Sequence, residues 1–192
     1  MSFEGRRFAS PNDVVRMKSG VLFFTDPPYG FRKFDSAPEI EITFNGVYRM
    51  ARDGTVTAIE KALHRPNGVA LSPDERTLYV SQSEPTKAII MAYTLDADGN
   101  VTAKKLLHDA TDLVAADAPG LPDGLTVAAD GTIFASAPGG ILVLSPEGKR
   151  LGRISDGKPI ANCKFGDDGR TLYLTSKDML ARIRLNISGA GF

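Results

Sequence analysis

Four polar residues stand at the same point of four similar segments: Asn12, Asn67, Asp123 and Asn162. Each supplies a side-chain carbonyl or carboxylate oxygen, and each leads into an apolar stretch. A ring of oxygen donors with no histidine or thiolate suits a hard cation such as calcium or magnesium and fits zinc or copper poorly. The expected ligand is therefore one divalent cation, Ca2+ first, with Mg2+, Mn2+ and Zn2+ as the other candidates. Taken singly, Asn or Asp before a strand is an ordinary turn former. Recurrence in register is what makes the four a candidate site. One carboxylate is little charge for a dication, so water or a further acidic residue has to complete the shell.

Other chemistry-bearing residues rank lower. His64 and His108 fall near the ends of outer strands, far from any axis the four residues share, which speaks against a Ser-His-Asp triad. Cys163 follows Asn162 inside an expected strand and reads as a small buried thiol. Asp26 ends the run Phe23-Phe24-Thr25-Asp26-Pro27-Pro28-Tyr29-Gly30 and is either a site residue or the start of a turn. The connection 27–43 carries Tyr29, Phe31 and Phe34, is longer than a hairpin loop, and is expected to cover one mouth of a channel. Gly139-Gly140 lacks a strand-loop-helix setting, so it is a turn and not a phosphate cradle.

The elements that must position these residues follow from the repeat. Ser10-Pro11-Asn12-Asp13-Val14, Arg65-Pro66-Asn67-Gly68-Val69, Leu121-Pro122-Asp123-Gly124-Leu125 and Ile160-Ala161-Asn162-Cys163-Lys164 each open a strand. A second strand begins 9, 10, 9 and 9 residues after the polar position, across turns rich in Gly and Asp. Third strands are expected at 46–50, 88–95, 140–144 and 179–185, and fourth strands at 56–63, 101–108 and 150–154. Four antiparallel strands per repeat make a propeller blade, whose first strand lines the central channel. Separate hairpin domains are too small to bury their own cores. The chain reads as one all-β propeller domain over 1–192, with blades at about 10–63, 65–111, 121–157 and 160–185. The last blade stops at three strands, and residues 1–9 show no strand pattern that completes it. The expected architecture is a six-bladed type of propeller with about four blades present, an open or incomplete ring. Closure of four blades into a smaller ring is the lesser alternative, since propellers of four are known.

Composition narrows the function classes. Lys+Arg and Asp+Glu balance at 23 each, which gives no electrostatic footprint for nucleic acid. A single cysteine excludes an internal disulfide, and no apolar run approaches a membrane span. The first residues lack the apolar stretch of a signal peptide, so the default location is cytoplasmic.

The same segments carry a resemblance. Ser10-Pro11-Asn12-Asp13-Val14, Phe24-Thr25-Asp26-Pro27-Pro28-Tyr29-Gly30, Arg65-Pro66-Asn67-Gly68-Val69, Ser72-Pro73-Asp74 and Leu121-Pro122-Asp123-Gly124-Leu125 resemble the bacterial gluconolactonase branch of the gluconolactonase/regucalcin (senescence marker protein) family. The likeness runs over nearly the whole chain. It implies a six-bladed propeller with one axial divalent cation that hydrolyses sugar lactones or related esters by attack of metal-activated water on the lactone carbonyl. By position, Asn67 and Asp123 look like metal ligands, and Asp123 also like the general base. Asn12 resembles the asparagine near metal and substrate. Asp26 is a candidate substrate contact and Asn162 a further axial candidate. The family's Glu-Gly-Pro motif, source of a glutamate ligand in the opening blade, has no counterpart: Glu4-Gly5 is followed by Arg6. The animal branch has arginine where this chain has Ser10. The alternative expectation is thus a catalytically inactive propeller fragment or binding module that lacks the first-blade metal ligand.

Overall fold

The computed structural model describes residues 2–114 and 118–192. A short hairpin comes first, β1 (Ser2–Phe3) with β2 (Arg6–Arg7). Four meandering antiparallel sheets follow. The first is β3 (Val14–Arg16), β4 (Leu22–Asp26), β5 (Gly46–Met50) and β6 (Val56–Glu60). The second is β7 (Pro66–Leu71), β8 (Thr77–Gln82), β9 (Ile89–Leu95) and β10 (Val101–Asp109). The third is β11 (Leu125–Val127), β12 (Ile133–Ala137), β13 (Gly140–Leu144) and β14 (Arg150–Ile154), and the last has three strands, β15 (Ile160–Gly166), β16 (Thr171–Ser176) and β17 (Met179–Arg184).

Period-two burial explains why the sheets stack. Along β4, Phe23 faces the second blade and joins Val69, Leu78, Val80 and Tyr93, whereas Phe24 points to the opposite side with Tyr48. The second and third blades close over Tyr79, Ile90, Leu125, Ile133 and Leu142. The third and fourth close over Phe134, Ile141, Cys163, Phe165 and Leu172. These continuous apolar seams rule out independent hairpin units.

The structure corrects the expected ring. It shows a four-bladed β-propeller, not an incomplete six-bladed one: all four innermost strands contribute to the lining of one cavity of about 560 Å³. The outward faces of the terminal blades give the physical reason. On the first blade, the rings of Phe3, Phe8 and Phe44 pack on Tyr48 at centroid distances of 5.2, 5.0 and 6.3 Å and cover that side. On the last blade, the outward face carries Lys164, Tyr173, Thr175, Arg182 and Arg184. Arg184 pairs with Asp168 at 2.6 Å, and the Tyr173 hydroxyl donates to Asp167 at 3.0 Å. Neither face presents an apolar seam of the kind found between blades.

Residues 1–9 are also corrected. Glu4 and Gly5 both take positive φ, 51° and 77°, the geometry of a two-residue hairpin turn. The turn brings Phe3 onto the first blade, and Arg7 holds it there through its backbone N–H and Nε, which donate to the Glu41 carboxylate at 2.6 and 2.5 Å. Glu4-Gly5 is therefore a turn.

Candidate functional site

Hydroxyls at one repeat position tie each blade to the next. Thr25 Oγ1 donates to the Asn67 carbonyl at 2.7 Å, Ser81 Oγ to the Asp123 carbonyl at 2.6 Å, and Ser136 Oγ to the Ile160 carbonyl. All three side chains are fully buried. Thr175, at the corresponding place in β16, is exposed and donates to Asn162 of its own blade at 3.3 Å. The glycines after the polar residues let neighbouring strands approach. A Cβ at Gly68 would strike the Asp123 carbonyl, and one at Gly124 would strike the Asn162 carboxamide.

This framework brings three of the four register residues together. Asn12 sits just before β3, with its backbone N–H donating to Thr25 at 2.9 Å. Asn67 lies in a bulge of β7, where the pairing with β8 skips between Pro66 and Val69, and it is buried. The Asn12 amide donates to Asn67 Oδ1, and Asn67 Nδ2 donates to Ser83 Oγ at 2.8 Å. The Asp123 carboxylate faces Asn67 and the Gly124 N–H. Its pKa is pushed up to about 6, first by burial and then by the negative charge of Asp13, against the lowering effect of those two donors. Asn162 packs its carboxamide against Gly124 and lines the axial cavity, and its Oδ1 accepts from the Cys163 N–H at 2.8 Å.

Asp26 is fully buried, and its carboxylate accepts from Ala9 N–H at 2.9 Å and Ser10 N–H at 2.6 Å. Burial raises its pKa against those two hydrogen bonds. Cys163 is buried, with its thiol pushed up to about 12. His108 reaches the carbonyl of Gly148 in the next blade at 2.9 Å. His64 lies at the entry to β7, 2.5 Å from Glu84.

Two residues that the repeat does not single out complete the constellation. Ser83, just past β8, donates to the Pro122 carbonyl and accepts from Asn67. Tyr29, from the long connection after β4, brings its hydroxyl beside Ser83, Asn67 and the charge of Asp123, with burial as the main cause of its raised pKa. The length and aromatic content of that connection were the sequence signal for Tyr29. Ser83 has none, because it falls outside the register.

The donor set can be tested against a resident cation. Asp123 is its one carboxylate, while Asp13 accepts from Val69 N–H at 2.9 Å and from Val14 N–H at 2.9 Å, and Asp26 is likewise taken by backbone. Among the described residues, no three His, Cys, Asp or Glu side chains converge in a group able to hold a metal ion. Asn67 Oδ1 already accepts from Asn12. These residues do not fit a resident divalent cation, in contrast to the expected calcium. What they offer is a dense set of neutral donors and acceptors around one carboxylate. Among the described residues, no helix is long and apolar enough to cross a membrane.

Known proteins share this arrangement of segments. The family described as "SMP-30/Gluconolactonase/LRE-like region" matches residues 1–178. A gluconolactonase from Zymomonas mobilis is 44% identical over 191 residues, 98% of this chain and 54% of the relative. A solved gluconolactonase from Xanthomonas campestris has a TM-score of 0.80 at 32% identity, covering 96% of this chain and 60% of its own. A calcium-binding regucalcin from Agrobacterium tumefaciens, at 23% identity, shares the fold with a TM-score of 0.71 over 95% of this chain and 62% of its own. The chain thus spans about half the length of the Zymomonas relative.

Proposed function

Because the chain belongs to the SMP-30/gluconolactonase/LRE-like family, we propose that it is a lactonase-type propeller module that recognises a sugar lactone or related ester at the Asn12, Asn67 and Asp123 end of its channel. The activity of this chain by itself is binding, without metal-dependent turnover. The observation that carries this reading is the chain of hydrogen bonds from Asn12 through Asn67 to Ser83 beside Asp123. Neutral amides and hydroxyls around one acid suit a polyhydroxylated neutral ligand and leave a dication undercoordinated. In this proposal residues 1–192 form one recognition unit, Asn12 meets the ligand, and Asp26 orders the entry to β3. The calcium-binding described for the regucalcin relative is not carried over to these residues.

A second reading is supported by Asp123. A carboxylate with a pKa near 6 is ionised at neutral pH yet basic enough to take a proton from water attacking a bound lactone carbonyl. Titrating D-glucono-1,5-lactam, which has no ester to hydrolyse, tests binding. Release of acid from D-glucono-1,5-lactone above the spontaneous rate tests turnover. Binding without turnover is the expected result, and turnover abolished by Asp123→Asn would move the function to the second reading. No binding of the lactam would remove both.

A further inference from the structure

Tyr29 is the buried polar group of this region that the interactions so far leave unused. Its loop is well held: Gly30 N–H donates to Ser10 Oγ at 2.9 Å, and Asn45 Nδ2 donates to Asp35 at 2.6 Å. Phe34 stands edge-on to Tyr29 at 6.4 Å, with the Arg65 guanidinium 5.5 Å over its other contact surface. Arg65 in turn reaches Asp35 at 3.5 Å. The phenol is therefore placed by packing, and a rigid aromatic group loses little freedom when it meets a ligand. The Tyr29 hydroxyl is nevertheless buried without a hydrogen bond of good geometry, as is Arg65 Nε, although Ser83 and Asn67 lie close enough to act on the phenol. A buried donor left unmade costs about 1–3 kcal/mol, so an orphan retained at a polar site calls for a partner that the protein itself does not supply. The side chains it faces, Ser83 and Asn67, belong to the network around Asp123.

We propose that Tyr29 is a specificity-determining residue: its hydroxyl hydrogen-bonds a ring hydroxyl of a polyhydroxylated lactone lying against Asn67 and Asp123. The inference rests on the lactone-site reading above and adds the discriminating contact to it. A site built to hydrogen-bond a hydroxyl loses affinity when either partner is removed.

The test compares the wild-type chain with Tyr29→Phe, using D-glucono-1,5-lactam as the probe in calorimetric titration and a thermal melt of each protein. Tyr29→Phe is expected to weaken lactam binding roughly 3- to 10-fold, the range of one hydrogen bond. Its melting midpoint should not fall, because the hydroxyl removed makes no well-formed hydrogen bond in the fold. Equal affinity in the two proteins overturns the role of Tyr29 and leaves the lactone site standing. Weakened binding together with a lowered midpoint assigns the hydroxyl a structural role and also overturns the proposal. Absence of lactam binding to the wild-type chain overturns the site reading itself, and this inference with it.

Discussion

The first and last blades have the same strand order from the axis outward and opposite surface chemistry. On the first, Phe24 and Tyr48 stack at 5.2 Å, and the N-terminal hairpin and Phe44 lie over them. On the last, the equivalent side is a solvated surface of Lys164, Arg182 and Arg184, with Leu180 71% exposed. A blade face needs either a neighbour or a polar surface, and the two ends of this propeller use one solution each. Apolar area at the first blade is stabilising because it is covered, at roughly 25 cal/mol per Å² removed from water.

The largest effect should come from emptying the covered face. Tyr48→Ala removes a fully buried ring and should cost about 3–5 kcal/mol in urea unfolding, whereas an effect under 1 kcal/mol would mean that the hairpin does not seal this blade. Next comes the site between the ends. Asp123 has a folded pKa near 6 against about 3.8 for the free group. Its protonated form therefore favours folding, fully below about pH 3.8, and the contribution is lost as pH rises through 6. Asp123→Asn should accordingly raise stability by about 2 kcal/mol at pH 8 and leave it nearly unchanged at pH 3.5; melts at the two pH values check the sign. Smaller again, Ser81→Ala strips a buried carbonyl of its donor and should cost about 1–2 kcal/mol, while Thr175→Ala, exposed and bonded within its own blade, should fall within about 0.5 kcal/mol. Leu180→Ala on the solvated face should do the same, and a loss as large as at Tyr48 would show that this face is covered in solution. Added calcium, after treatment with a chelator, should leave the melting midpoint where it was, since a cation bound only by the folded state would raise it by mass action.

Much of the fold was legible because hairpins obey local rules. Asp130-Gly131 and the turn at Asp53-Gly54 end strands where their backbone demands, and β13 falls on the expected 140–144. The number of blades was not legible. Register shows that units repeat, but ring closure depends on what each outward face meets, and the cover over Tyr48 comes from Phe3 and Phe8, which precede the first repeat and lack alternation. The candidate site was half legible. Asn12, Asn67 and Asp123 do meet, yet four oxygens in register say nothing about where those oxygens are spent, and in this structure Asn67 Oδ1 is taken by Asn12. Ser83 stayed hidden because it sits outside the repeat and acts through a tertiary contact.

The buried hydroxyls of Thr25 and Ser81 do more than fasten blades. Each grips the backbone of the residue whose side chain enters the site, so the spacing between Asn67 and Asp123 is set by the second strands of the blades before them and not by the blades that own them. The arrangement works as an alignment gauge: a small slip of one sheet against the next is transmitted straight to the distance between the Asn67 and Asp123 side chains. In the proposed lactone site, a substitution in a second strand therefore changes recognition without touching a residue that meets the ligand.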